Sequence, residues 1–278
     1  MNLFIETLKA VLFGVVEGIT EWLPISSTGH MILLDEFVKM QMSDAFMEMF
    51  NVVIQLGAIL AVIVLYFPKL WPFRKGGKGL MSWLKMETVT LWLMVVAAII
   101  PSAVIGIPFD DWMDAHLHTA PVVAAMLIVY GVAFILIERR KNVYARAKVS
   151  DVHEIGLKLA LAIGCFQALS LVPGTSRSGA TILGGVLMGC SRAAASEFSF
   201  FMAIPTMAGA SLLKLLKFGV GFSGAELLIL LVGCATAFVV SVVAIRTFIG
   251  YVKKNSFTAF GWYRIALGAL VAVYFLLK

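Results

Sequence analysis

Glu17 and Glu21 stand four residues apart, and Ser26, Ser27, Thr28 and His30 follow within a few positions. At that spacing the two carboxylates share one face of a helix. A second polar stretch, Thr175, Ser176, Arg177, Ser178 and Thr181, lies about 150 positions further on. Hydroxyls can attack or bind phosphate, a guanidinium fork matches phosphate oxygens, and an imidazole titrates near neutrality. Paired acids can hold a hard cation such as Mg²⁺ together with substrate oxygens. Setting residue n against n+150 pairs Gly14 with Gly164, Glu17 with Gln167, Ser26 with Ser176 and Gly29 with Gly179. The two stretches look like diverged copies of one unit, the pattern of membrane proteins that keep their chemistry at a repeat interface.

The elements that carry these residues are set by composition. Hydrophobic residues make up 61% of the chain, charged ones 14%, and the mean hydropathy is +0.97. Such values lie outside the range of a water-soluble domain. The apolar runs are helix-length rather than alternating, which favours a helical bundle over a β-barrel. Leu3 to Leu23 is broken by Glu6, Lys9, Glu17 and Glu21 and lacks a basic leader, so it is expected to belong to the mature protein rather than to a signal peptide. Cys165, Cys190 and Cys234 sit in apolar runs at no metal-ligand spacing and read as packing residues.

The basic loops, 69–85 with Lys69, Arg74, Lys75, Lys78 and Lys85, and 139–148 with Arg139, Arg140, Lys141, Arg146 and Lys148, are expected on the cytoplasmic side. A loop from Phe109 to His118 carries Asp110, Asp111 and Asp114 without a Lys or Arg and is expected on the opposite face. The net charge of +6 then reflects topology and anionic membrane lipids, not nucleic acid.

Each half holds five apolar segments: Leu3–Leu23, Ser27–Val38, Ala45–Phe67, Thr88–Ile107 and Thr119–Ile137, then Val152–Val172, Ser176–Cys190, Ala193–Leu216, Ala225–Ile249 and Thr258–Leu277. A span needs about 20 residues at 1.5 Å rise, so the second member of each set cannot cross. If segments one and two form a re-entrant hairpin, three crossings remain per half, and an odd number inverts the second half relative to the first. The expected fold is an all-α polytopic membrane protein built of inverted-topology repeats, with about six transmembrane helices plus two re-entrant helical hairpins. A single membrane domain, 1–278, comprises repeat 1 (1–140) and repeat 2 (151–278), joined by a basic cytoplasmic loop. The alternative, in which Leu3–Leu23 spans fully, is long enough to stay open.

The hairpin tips, near Pro24–Thr28 and Pro173–Ser178, would meet near the midplane and aim two helix N-termini at one point, where an anion belongs. Glu17, Glu21 and Arg177 facing lipid would together cost roughly 7 to 10 kcal/mol, so they are expected to share a wet cavity. The expected metal ligands are Glu17 and Glu21, and the cofactor a divalent cation, Mg²⁺ or the larger Ca²⁺. Ser26, Thr28, Gly29, Gly174, Ser176, Ser178 and Thr181 are candidate phosphate-binding residues. Gln55, Glu48 and Glu197 are either a supporting shell or helix–helix hydrogen bonders. Ser170, Ser196 and Ser241 read as packing residues, and His116, His118 and His153 as solvated loop residues.

Glu17-x-x-x-Glu21 followed by Pro24-Ile25-Ser26-Ser27-Thr28-Gly29-His30, and later Pro173-Gly174-Thr175-Ser176-Arg177-Ser178-Gly179-Ala180-Thr181, resemble the two signature motifs of the undecaprenyl-diphosphate phosphatase family of the bacitracin-resistance type. The resemblance extends over nearly the whole chain, including Val52–Val62 and Glu197–Ala210. It implies hydrolysis of undecaprenyl diphosphate to the monophosphate, recycling of the lipid carrier for the cell wall in the bacterial plasma (inner) membrane, divalent-metal dependence and an interlocked inverted-repeat fold. Carried over by position, the catalytic residues would be Ser27, His30, Glu21, Glu17 and Arg177.

One route has Ser27 attack the terminal phosphorus with His30 or Glu21 as base, and His30 protonating the departing lipid phosphate. The other has water attack directly. Two other classes compete: a secondary transporter or flippase for an anion or lipid phosphate, and a second lipid-phosphatase superfamily, disfavoured because no His follows Ser191-Arg192. The polyprenyl diphosphate would be the lipid partner; a homodimer is compatible with the residues and required by none of them.

Overall fold

The computed structural model describes residues 2–74, 83–117, 119–140, 147–219 and 221–278, the side chains of Asp110, Asp111 and Asp114 excepted. Lys75, Lys78, Lys141, Arg146 and His118, on which part of the charge and loop expectations rested, lie outside the described residues, as do those three aspartate side chains.

The described chain is all helical. The first half contains α1 (Leu3–Thr20), α2 (Ser27–Phe37), α3 (Asp44–Val53), α4 (Gln55–Leu65), the short α5 (Phe67–Leu70), α6 (Met86–Leu117) and α7 (Ala120–Arg139). After a 3₁₀ turn at Val152–Glu154 come α8 (Leu157–Leu169), α9 (Arg177–Leu187), α10 (Arg192–Phe218), α11 (Gly224–Val252) and α12 (Thr258–Leu277). Helix starts follow local capping chemistry: Asn2, Ser43, Ser191 and Ser223 each accept a backbone N–H of the following turn, and Ser223 completes a capping box with Glu226.

Six stretches are long and apolar enough to cross a membrane: Asp44–Leu65, Met86–Phe109, Ala120–Arg139, Arg192–Phe218, Gly224–Val252 and Thr258–Leu277. This is a multi-pass membrane protein. Large apolar side chains on these helices, including Leu60, Leu93, Val104, Val129, Leu136, Val243 and Leu270, are exposed, as lipid-facing residues should be. At 13 residues α8 spans about 20 Å, short of the hydrocarbon thickness.

Three segments depart locally from expectation. The Ala45–Phe67 segment breaks at Ile54 into α3 and α4, which brings Asn51, Val52 and Gln55 to the wall of one cavity. The Phe109–His118 stretch is not a loop: α6 runs on to Leu117, with Pro101 and Pro108 accommodated inside it, because nothing between Phe109 and Leu117 breaks a helix. His116 is therefore helical, its ring nearly parallel to that of Trp112. His153 sits in the 3₁₀ turn and is half-buried.

The helices cross between the halves. α1 packs along α11, α8 along α6, and α7 along α12. Small residues permit the approach: a Cβ at Gly14 would stand 2.6 Å from the Gly233 carbonyl oxygen, and one at Gly164, its counterpart, 2.1 Å from that of Ala98. The main core gathers Trp22, Phe198, Phe200, Phe201, Phe248 and Phe257 beside the point where the two polar loops meet.

Candidate active site

Two loops converge. One links α1 to α2 and carries Glu21 to Ser26; the other links α8 to α9 and carries Ser170 to Ser176. Ser26 and Ser176 are the N-caps of the two short helices, and each caps the same way, its Oγ accepting the amide of Gly29 at 3.3 Å or of Gly179 at 3.1 Å. Both serines adopt positive φ, 73° and 71°, and they are the only non-glycine residues to do so among those described. Each such residue stores about 1–3 kcal/mol of strain and persists only where its surroundings dictate it. The n+150 pairing thus extends to an unusual backbone conformation.

Glu21 is the meeting point. Ser27 Oγ donates to its Oε2 at 2.7 Å, and Arg177 donates to its Oε1 through Nη2 at 3.0 Å and Nε at 3.3 Å. Arg177 Nη1 also donates to the Ser199 carbonyl at 2.8 Å. Ser178 Oγ ties the second loop to the first through the carbonyls of Glu21 at 3.0 Å and Leu23 at 3.2 Å. Thr181 Oγ1 lies 2.7 Å from Ser199 Oγ and donates back to the Arg177 carbonyl at 2.8 Å. Residues 150 positions apart therefore grip opposite oxygens of one buried carboxylate.

Beside this centre lies a cavity of about 550 Å³, walled by Glu17, Ser27, Thr28, Met31, Asp35, Glu48, Asn51, Gln55 and Lys214, among others. Its size suits a small polar headgroup. Glu17 is 1% exposed, and its Oε1, like Asn51 Oδ1, is a buried acceptor with no hydrogen-bond partner. Glu48 pairs with Lys214 at 2.6 Å on the same wall. Among the described residues, no three His, Cys, Asp or Glu side chains cluster as a self-sufficient metal cage.

His30 is committed elsewhere. Its Nδ1 lies 2.7 Å from the Ser26 carbonyl oxygen, which can only accept, so Nδ1 carries the proton. Its Nε2 lies 2.7 Å from Tyr263 Oη, and the two rings are nearly parallel. The hydroxyl partner of Ser27 is thus Glu21, and His30 stands behind the strained Ser26.

Of the remaining candidates, Thr28, Gln55 and Glu48 reach the cavity wall. Ser26, Ser176, Ser178 and Thr181 sit at the centre with their hydroxyls engaged inside the protein, while Gly29 and Gly174 are buried in the loops' framework. Glu197 lies apart, paired with Lys69 at 2.6 Å. Arg192 forks onto Glu138, a structural pair away from the loops.

Arg264 contacts both loops and Tyr263 contacts His30, yet neither belongs to a motif. A signal was available: Arg264 is the one charged residue in the apolar run Thr258–Leu277, and an intramembrane arginine marks function by default.

Among curated proteins, an undecaprenyl-diphosphatase of Enterococcus faecalis is 59% identical over 96% of both chains. Those of Lachnoclostridium phytofermentans and Acetivibrio thermocellus are each 57% identical, over 99% and 98% of this chain and 98% of each relative. The family model for the bacitracin resistance protein BacA matches residues 10–270, a range that takes in both loops, five of the six spans and most of the sixth, and the chain belongs to that family.

Proposed function

We propose that this protein hydrolyses undecaprenyl diphosphate to undecaprenyl phosphate and inorganic phosphate, the activity named for its relatives. The reaction would return the lipid carrier to peptidoglycan synthesis and confer bacitracin resistance. The observation that carries the reading is the shared carboxylate: Ser27 and Arg177 on opposite oxygens of Glu21, with Ser27 also on the cavity wall.

In the covalent route, Ser27 Oγ forms a bond to the terminal phosphorus as its proton passes to Glu21 Oε2. The bridging P–O bond breaks, and the lipid phosphate leaves with the electron pair and takes the proton from Glu21. Water then attacks the phosphoserine, giving its proton to Glu21, which returns one to Ser27 as phosphate departs. Arg177 and the amides at the start of α2 and α9 face the charge that spreads over the phosphoryl oxygens. His30, held by Tyr263, keeps Ser26 and so the start of α2 in place.

A divalent cation fits the donor set. Glu17, with a buried unpartnered oxygen, and Glu21 would hold it with substrate phosphate oxygens completing its shell. Bound there, it would offset phosphate charge and polarise the phosphoryl oxygens.

The same reading makes α1–α2 and α8–α9 re-entrant hairpins of two interlocked inverted repeats, 1–140 and 151–278. The reciprocal packing of α1 on α11 and α8 on α6, and the matched Ser26 and Ser176, support it. The basic loops 69–85 and 139–148 would face the cytoplasm of a cell bounded by this plasma membrane.

Phosphate release from a long-chain prenyl diphosphate by the purified protein in detergent, where no compartments exist, tests hydrolysis against transport or flipping. Acid trapping of a phosphoserine at Ser27 is expected. Near-normal turnover by Ser27→Ala would end the covalent route and leave direct attack by water.

A further inference from the structure

Arg264 is wholly shut off from solvent, at 0% exposure, and among the described residues none of its contacts is a carboxylate. Its guanidinium instead collects backbone carbonyls from both loops. Nη1 donates to Pro24 at 3.2 Å, Nη2 donates to Gly174 and Thr175 at 2.9 Å each, and Met126 of α7 accepts at 3.4 Å. The guanidinium carbon lies 5.6 Å from the Tyr130 ring centre, and Nε has no partner. A Cβ at Gly179 would stand 3.2 Å from Nη1, so the start of α9 also closes on this group.

A buried ion without a counter-ion is an expensive way to hold a fold, since apolar residues of similar volume commonly stabilise as well or better. What a guanidinium supplies is a planar fork that can bind carbonyls diverging from two loops at once; an ammonium is a point donor on a flexible stem. The carbonyls it binds flank the strained residues: Pro24 is two positions before Ser26, and Gly174 and Thr175 lead directly into Ser176. The neighbouring residue, Tyr263, reaches the same Ser26 through His30.

We propose that Arg264 is a positioning residue for phosphoryl transfer: one guanidinium locks the two loops together at the spacing that lets Ser27 and Arg177 share Glu21. The proposal rests on the hydrolase reading for its kinetic consequence, though not for its structural one. Loss of the fork lets the loops relax from positive φ and separates the nucleophile from the arginine, without removing any group that contacts substrate.

Arg264→Lys and Arg264→Ala, made in the full-length protein in detergent, test this by two readouts. The first is backbone hydrogen exchange. Residues 21–30 and 172–180 should exchange faster in both variants, with α10 and α11 unchanged. The second is steady-state phosphate release from a polyprenyl diphosphate. Arg264→Lys should lose about 100-fold in kcat, the scale of a misplacement near 1 Å, with KM within about threefold of wild type. Guanidinium ion, but not ammonium, should restore part of the activity of Arg264→Ala.

Wild-type-like kcat in Arg264→Lys, unchanged exchange in both loops, or faster exchange spread evenly over α7, α10, α11 and α12 would each overturn the proposal. If the wild-type protein releases no phosphate, the hydrolase reading fails instead, and the exchange measurement still decides whether Arg264 clamps the loops.

Discussion

Replacing Glu21 by Gln keeps the shape of the side chain and reverses its hydrogen-bonding sense at one end. In the native site Oε1 takes two N–H groups of Arg177, and Oε2 takes the Ser27 hydroxyl at 2.7 Å. A glutamine can still offer its oxygen to Arg177, which also retains the Ser199 carbonyl at 2.8 Å. Its NH₂ then faces Ser27 and donates, so Ser27 has nowhere to send its proton. Loss of a positioned general base costs about 10²- to 10⁴-fold, which is about 3–5 kcal/mol of barrier at 1.36 kcal/mol per decade. The loss should fall on kcat, with KM little changed, because Arg177, Thr28 and the loop amides, the groups proposed to bind phosphate, remain.

The assay is phosphate release at saturating prenyl diphosphate, with thermal unfolding in detergent run alongside to show that the bundle is intact. Glu21→Asp, one methylene short of Ser27, should fall between the two. Turnover of Glu21→Gln within about threefold of wild type, below the smallest general-base effect, would refute the assignment of Glu21 as the proton acceptor.

Gly164→Ala should lower the unfolding temperature, since its Cβ would lie 2.1 Å from the Ala98 carbonyl oxygen; overpacking of this kind costs about 1–3 kcal/mol. Gly209→Ala, where a Cβ meets nothing within 4 Å, is the control and should melt like wild type. Chelation should abolish phosphate release, and Glu17→Gln should lose the bound-Mn²⁺ signal in electron paramagnetic resonance; full activity in chelator would remove the metal. Tyr263→Phe deletes the hydroxyl on His30 Nε2 and should cost about tenfold in turnover, one hydrogen bond to a polar group. Combined with His30→Ala it should add nothing further, because the two residues act through one contact; additive losses would separate their roles.

The two loops were legible in sequence because their residues are exceptional for a membrane interior. Glu17, Glu21 and Arg177 are too costly to leave facing lipid, and the Pro and hydroxyl runs beside them interrupt apolar helices at matching places. The convergence of Ser27 and Arg177 followed from that pairing and is present. The partners of His30 were not legible, since spacing puts it on a face with Ser27 but cannot reveal that its two nitrogens are taken by Ser26 and Tyr263. Nor did spacing reveal that Ser178 and Thr181 would bond to the protein itself, or that the acidic stretch before Leu117 would be helical.

By itself the amino-acid sequence determined the solvent, the six apolar spans, the two polar interruptions and the chemistry available there, because hydrophobic length and the cost of buried charge are local properties of a chain. The tertiary structure decided which groups became partners: Glu21 rather than Glu17 for Ser27 and Arg177, Tyr263 for His30, and Arg264 for the carbonyls of both loops. Hydrogen bonds depend on distance and direction to within a few tenths of an ångström. Only the packing of α12 against α7, and of each loop against the other half, brings those distances into range.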